Sequence, residues 1–204
     1  MLVEIPGNNP DQRKIKEVAD ILRNGGIAVI PTDTIYAFAT SLMNKKGMEK
    51  LANFKNIKLK NAQFSLICDD LSDIASYTKP MERNVFRALK NSLPGPFTFI
   101  LNANNHVAKL FGTNKKEVGI RVPDHQITRA IVNELGHPLV STSVHDDDKI
   151  RIYTTDPESI HENYEDQVDL VIDSGYGKNQ ASTIVDCTAG ELNIIRQGMG
   201  ELKA

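Results

Sequence analysis

"GGIAVIPTDTIYAFAT", residues 25–40, decides the fold. Two glycines close whatever precedes them, the apolar run Ile27–Ile30 follows, and Pro31 ends it before three oxygen-bearing side chains, Thr32, Asp33 and Thr34. A β-branched run this short reads as a buried strand. Upstream, "NNPDQRKIKEVADILRN" sets Ile15, Val18, Ile21 and Leu22 at helical spacing, with Asn9 before Pro10 as the cap signal and Gly25 as the stop. An amphipathic helix feeding a buried strand is the building unit of an α/β protein.

The alternation continues. Helices are expected around 46–54, 82–91, 125–136 and 156–164, the last with a cap and an N1 proline in "DPESIHENY". Strands are expected at 64–68, 97–101, in "VGIRV", "PLVSTSV", "VDLVID" and "STIVDC", and in "LNIIRQ" near the end. No internal repeat, low-complexity segment or linker interrupts the 204 residues, and the stretch around 145–155 reads as a loop. These signals predict one domain over residues 1–204, an α/β fold whose twisted, largely parallel mixed sheet is flanked by helices.

Composition bounds the function without choosing it. The formal charge of -2 and a pI near 6.2 neither demand nor exclude a polyanionic partner, so any basic surface is local. Cys68 and Cys187 sit in apolar contexts with no CxxC or Cys/His spacing and read as core thiols of a reduced protein, not zinc ligands. No apolar stretch approaches the roughly 20 residues of a membrane span. The expected location is the cytoplasm.

Open α/β sheets bind ligands beyond their strand ends. Five stretches fall there: "PTDTIYAF", "FKNIKLKN", "GIRVPDH", "VSTSVHDDD" and "NIIRQG". They supply hydroxyls at Thr32, Thr34, Ser141, Thr142 and Ser143, and cations at Lys55, Lys58, Lys60, Arg121 and Arg196. Hydroxyls with cations suit an anion such as a nucleotide phosphate. Each stretch also has a plainer reading. Asp33 is the natural centre of an Asx turn, "KNIKLK" a solvated basic loop, and Arg121 a partner for an acid such as Asp124. His125 and His145 read as surface or capping residues, and the acidic run 146–148 either faces water or holds Mg²⁺. Neither GxxxxGK[ST] nor a strand-linked GxGxxG is present, so the usual phosphate loops are missing.

Taken together, "GGIAVIPTDTIYAFAT", "LPGPFTFIL", "VGIRVPDH", "PLVSTS", "STIVD" and "IIRQG" resemble, in order and spacing, the YrdC/YciO family, which includes the threonylcarbamoyl-AMP synthases. The likeness covers nearly the whole chain and sits nearest the single-domain YciO branch. It implies a twisted sheet enclosing an open, positively charged cleft. It also implies a reaction joining L-threonine, bicarbonate and ATP into threonylcarbamoyl-AMP and pyrophosphate, which supplies the t6A modification of tRNA. ATP would enter as a substrate with Mg²⁺, with no tightly bound cofactor and no metal-binding residue. Carried over position by position, the resemblance gives Lys55 and Ser143 the catalytic role. Thr32, Thr34, Lys58, Arg121, Ser141, His145, Ser182 and Arg196 would surround substrate or nucleotide, so Arg121 and Arg196 should share one face of the sheet.

Three positions depart from the synthase pattern. Where the synthases have Lys-x-Arg the chain reads Lys55, Asn56, Ile57, and where they have Ser-x-Asn it reads Ser143, Val144, His145. The family's glycine after the tyrosine is Ala37. An isoleucine cannot hold a phosphate, and a lysine nearby does not reproduce a guanidinium fork. These changes imply a weak synthase. The alternative is a YciO-type protein that binds a nucleotide, tRNA or double-stranded RNA without synthesis, using Lys55, Lys58, Lys60, Lys115 and Lys116 if the fold brings them together.

Overall fold

The structure, a computed structural model, describes residues 1–7, 9–144 and 154–202. In chain order the strands are β1 (Leu2–Glu4), β2 (Ala28–Ile30), β3 (Ala37–Ser41), β4 (Ser65–Ile67), β5 (Phe97–Asn102), β6 (Glu117–Arg121), β7 (Leu139–Ser143), β8 (Leu170–Asp173), β9 (Thr183–Asp186) and β10 (Asn193–Arg196). The helices are α1 (Gln12–Arg23), α2 (Lys45–Phe54), α3 (Arg83–Ser92), α4 (Asn105–Phe111), α5 (Gln126–Leu135) and α6 (Pro157–Tyr164).

All ten strands join one sheet in the order β1-β8-β2-β3-β7-β4-β6-β5-β9-β10. Four strand pairings are parallel, β1 with β8, β8 with β2, β4 with β6 and β5 with β9. Five are antiparallel. The sheet is mixed and flanked by helices as expected, but parallel pairing has the smaller share. The excess of antiparallel pairs comes mainly from β3 and β7, which run side by side through the middle.

Strand residues alternate between the two faces, so the register assigns each side chain to a side. Val29, Phe38, Val140, Leu66, Ile120, Phe99 and Val185 face one way, into a large apolar layer completed by Met48 and Leu51 of α2, Leu89 of α3, Phe111 of α4 and Ile160 of α6. Ala28, Ile30, Ala37, Ala39, Leu139, Ile67, Leu170 and Ile172 face the other way, against Ile15, Val18 and Leu22 of α1 and Ile127 and Ile131 of α5. These are two layers on one sheet, not two domains. Four helices cover the first face. The two helices on the second face pack over β8, β2, β3 and the near residues of β7 and β4, which leaves the remaining half of that face to other groups.

Several boundaries differ from the sequence reading. The N-cap of α1 is Asp11, whose side chain accepts from Arg13 N–H, and not Asn9. A carboxylate one residue past Pro10 is the better acceptor for the exposed first-turn amides. Asp11→Ala should lower stability by about 1 kcal/mol, read as a drop of about 2–4 °C in thermal midpoint. Strands β1 and β3 and helix α4 were not anticipated. Cys68 and Cys187 are free and buried, and burial pushes the Cys187 thiol up to about 12, so both are core thiols.

Candidate functional site

The "PTDT" turn is built by a threonine. Thr32 Oγ1 accepts from Thr34 N–H at 3.1 Å and donates to Ile35 O at 2.7 Å, which closes the turn. The expected Asx turn at Asp33 does not form, and the Asp33 carboxylate is released for a longer-range task. Its Oδ1 accepts from Arg121 Nη2 at 3.3 Å and its Oδ2 accepts from Asp124 N–H at 3.1 Å. Asp33 therefore clamps the end of β6 and the following turn to the end of β2. The acid that pairs with Arg121 is Asp33, not Asp124.

Proton bookkeeping fixes the direction of the adjoining chain of bonds. Arg121 only donates, and its Nη2 reaches Thr34 Oγ1 at 3.0 Å. Thr34 Oγ1 lies 3.1 Å from Thr32 Oγ1, whose own hydrogen goes to Ile35 O, so Thr34 is the donor there. Both hydroxyl hydrogens are thus engaged inside the protein. Thr32 and Thr34, expected to surround substrate or nucleotide, stand beside Arg121 and orient it, with both hydroxyl hydrogens spent on protein acceptors.

Arg121 is buried, with a side chain only 6% exposed. Burial pushes its pKa down, the Asp33 carboxylate opposes that, and the positive charge of Arg196 pushes it further down. The guanidinium remains charged, since arginine does not deprotonate in proteins. Its Nε is buried with no hydrogen-bond partner among the described residues, so donor capacity is left over at the site.

The register shows what lies around it. Arg121 pairs with Ile67, a member of the smaller apolar layer, so its side chain stands on that layer's side of the sheet. Ser65, Gly119, Ser141 and Ser143 share this face by their pairings. A Cβ on Gly119 would meet Ser65 Oγ at 2.7 Å and Thr98 Cγ2 at 3.3 Å, which places Thr98 there too. Ser182 Oγ lies 2.9 Å from Thr98 Oγ1, and Arg196 pairs with Ile184 opposite Thr98 while donating from Nη2 to Ser182 O at 3.0 Å. Across β7, β4, β6, β5, β9 and β10 the half-face not packed under α1 and α5 therefore carries a floor of small and hydroxyl residues flanked by two arginines, with Ile100, Ile184 and Asp186 on the same face by register. Arg121 and Arg196 stand on the same face.

Not every expected residue joins the floor. Lys55 caps α2 on the other face, its Nζ 5.7 Å from the centroid of the Phe38 ring in the large apolar layer. Phe38 pairs with Thr142, next to Ser143 at the end of β7, so Lys55 comes to the end of the floor from the opposite side. Lys58 and Ile57 are exposed on the following loop. Ala37 pairs with Ser143 and sets its methyl beside that hydroxyl. His145 and the run 146–148 lie outside the described residues.

Sequence reasoning missed Ser65, Thr98 and Gly119, and it gave Asp33 the wrong task. Strand alternation back from Arg121 points to Gly119, but only the register between strands identifies Ser65 and Thr98. Tyr36 was also overlooked. Its hydroxyl donates to Gly175 O at 2.7 Å and accepts from Ser174 N–H at 3.3 Å, and Lys178 N–H donates to Thr34 O at 3.0 Å, so the 174–178 loop is pinned beside the turn. A Cβ on Gly177 would come within 2.8 Å of the Tyr36 ring, so that close approach requires glycine.

The fold and floor define a class: a mixed-sheet α/β protein with two arginines over hydroxyl residues on a half-covered sheet face. The chain belongs to the Sua5/YciO/YrdC family, whose model, described as "Telomere recombination", matches residues 20–198. It is 35% identical to the uncharacterized protein YciO of Escherichia coli K12 over 96% of this chain and 94% of that one. The crystal structure of E. coli YciO superimposes with a TM-score of 0.90 at 34% identity, covering 100% of this chain and 98% of that one. The P. abyssi Sua5 structure complexed with L-threonine shares the fold, with a TM-score of 0.86 at 19% identity over 97% of this chain and 57% of that one. Among the described residues no helix is long and apolar enough to cross a membrane.

Proposed function

We propose that this protein binds Mg·ATP on the arginine-flanked floor and forms L-threonylcarbamoyl-AMP from L-threonine and bicarbonate, at a rate limited by its altered positions. The observation that carries the reading is the placement of Arg121 and Arg196 on one face over Ser141, Ser143 and Ser182. The L-threonine complex of the Sua5 relative, on the same fold, supports the substrate class. In the reaction a carbamate oxygen attacks the α-phosphorus as the bond to the β-phosphate breaks. Charge builds on the departing pyrophosphate, and fixed guanidinium groups in a water-poor site stabilise it without reorganising. Arg121 is fixed in this sense by Asp33 and Thr34. Mg²⁺ would enter with the nucleotide, since both Asp33 oxygens are already engaged, by Arg121 and by Asp124 N–H. Positioning carries the catalysis, with Ser143 on the floor and Lys55 at its end.

Pyrophosphate release with ATP, bicarbonate and L-threonine, together with mass detection of the adenylate, tests the reading. The expected result is product that requires all three substrates, formed well below the rate of a family synthase run alongside. Wild-type turnover at the ordinary synthase rate would refute the claim that Ile57 and His145 limit it. Absence of product with intact Mg·ATP binding would favour the second reading, a nucleotide or RNA binder in the cytoplasm. One observation supports that reading: Lys115 Nζ donates to Ala62 O at 2.8 Å, which ties the 113–116 turn to the loop carrying Lys58 and Lys60. Lys58, Lys60 and Lys116 are exposed on these joined segments, a local basic surface suited to phosphate backbone. Lys115 itself is committed to Ala62 and to the Phe111 ring, 5.0 Å away.

A further inference from the structure

Helix α3 reads "RNVFRALKNS", with Glu82 at its N-cap position. Val85, Ala88 and Leu89 are buried and seat the helix on the large apolar layer. Phe86 falls outside that stripe and is 49% exposed. It lines a surface groove of about 360 Å³ together with Leu71, Ile74, Ala75, Met81 and Leu89. Ile74 and Leu89 are buried, Leu71 and Met81 only partly so, and Ala75 is open to water. A lone exposed phenylalanine means little, but one that continues into an apolar groove marks a contact surface. The charges beside it are ordered too. Glu82, Phe86 and Lys90 follow one another at intervals of four residues, so they share one face of the helix, and all three are exposed. Glu82 makes no side-chain capping bond, and among the described residues neither it nor Lys90 has an ion-pair partner.

We propose that this face is the contact between two copies of the chain, packed α3 against α3 in antiparallel about a twofold axis at Phe86. The charge pattern selects a second copy as the occupant. In an antiparallel pair centred on Phe86, residues equally far before and after it face each other, so Glu82 of each copy faces Lys90 of the other. Two ion pairs form, each about 6 Å along the helix from the axis. Parallel packing would set acid against acid and base against base. An isologous contact requires a patch complementary to itself, and acid, aromatic and base at equal spacing make such a patch. The two Phe86 rings meet at the axis and cover the open sides of both grooves, giving an apolar centre with a charged rim. Arg83 and Arg87 lie on the outer flank of the helix and stay in water. A formal charge of -2 puts little overall repulsion between copies. Helix α3 covers the sheet face opposite the arginine-flanked floor, so the dimer leaves both floors open and does not depend on what they bind.

Sedimentation velocity over a range of protein concentrations, on the full chain without ligands, tests this. Wild type should convert from monomer to dimer as concentration rises. Phe86→Ser should raise the dimer dissociation constant about thirtyfold or more, the cost of truncating an aromatic anchor. Glu82→Lys and Lys90→Glu each create two like-charge contacts across the axis, and each alone should weaken the dimer about tenfold or more. Mixed together, these two variants should form a heterodimer about as tight as the wild-type dimer, because acid again faces base at both places. The double reversal Glu82→Lys with Lys90→Glu should restore self-association and fail to pair with wild type. All four positions changed or paired here are on the surface, and thermal melts of each variant at low concentration check that the monomer still folds. A wild-type chain that stays monomeric throughout the accessible range would overturn the proposal. So would a dimer that survives Phe86→Ser, which would place the contact elsewhere. A dimer lost with Phe86→Ser but indifferent to the charge reversals, with no preference for the heterodimer, would overturn the antiparallel pairing and the proposal with it.

Discussion

Arg121→Ala should cost about 3–5 kcal/mol of folding stability, because it strands a buried carboxylate. The Arg121 and Asp33 side chains are 6% and 10% exposed, so water cannot replace the lost partner. Thr34 Oγ1 loses its donor at the same time. The thermal midpoint should fall by about 6 °C or more. The double variant Arg121→Ala with Asp33→Ala removes the stranded charge and should be more stable than Arg121→Ala alone, a non-additivity that an ordinary packing defect would not produce. Mg·ATP binding should be lost in both. Arg121→Lys separates the two roles: it keeps the charge but not the planar fork, so it should retain more stability than binding. Equal stability of the Ala variant and wild type would show that the clamp between β2 and β6 carries no weight.

Ile57→Arg combined with His145→Asn should raise pyrophosphate release by about a hundredfold to ten-thousandfold, and raise it more than it tightens ATP binding. Each restored charge-assisted contact is worth about 1.5–3 kcal/mol, and about 1.4 kcal/mol is a tenfold rate change when it falls in the transition state. Ile57 is 38% exposed and follows Asn56, whose φ of 54° already makes a sharp turn, so a longer polar side chain at 57 meets no packed core. The substitution should leave stability within about 0.5 kcal/mol. Steady-state kinetics with a parallel calorimetric titration of Mg·ATP separates the two effects. A gain confined to binding would mean that neither position acts in the transition state.

Much of the fold was legible because its elements announce themselves. Ile15, Val18 and Leu22 mark the buried stripe of α1, and the runs that became β2, β5 and β8 are too apolar to lie anywhere but inside. Strand β3 was not legible. Its sequence "AFATS" is buried at every position, so the polar alternation that marks a half-buried strand is absent, and its small residues carry little strand propensity. Helix α4, at seven residues, is too short to show a periodic face. Of the residues that share the candidate floor, Arg121, Ser141, Ser143, Ser182 and Arg196 were legible, because each sits in or beside a recognisable strand. What the sequence hid was function by position. A threonine closes the turn in place of Asp33, the acid reaches 88 residues along the chain to Arg121, and Ser65 and Thr98 meet the site only through strand register. His125, within the quoted "GIRVPDH", holds the expected capping position at the start of α5, though its side chain makes no capping bond.

Calorimetric titration of Mg·ATP into wild type and Arg196→Gln tests most directly whether the arginine-flanked floor is a nucleotide site. The Arg196 side chain stands on the same face as Arg121 and donates to Ser182 O, so the neutral variant removes a cation from the floor without touching the Asp33 clamp. The expected result is saturable binding to wild type, weakened about tenfold or more in Arg196→Gln, the worth of one charge-assisted contact. Equal affinity in the two proteins, or no binding to wild type, would contradict it.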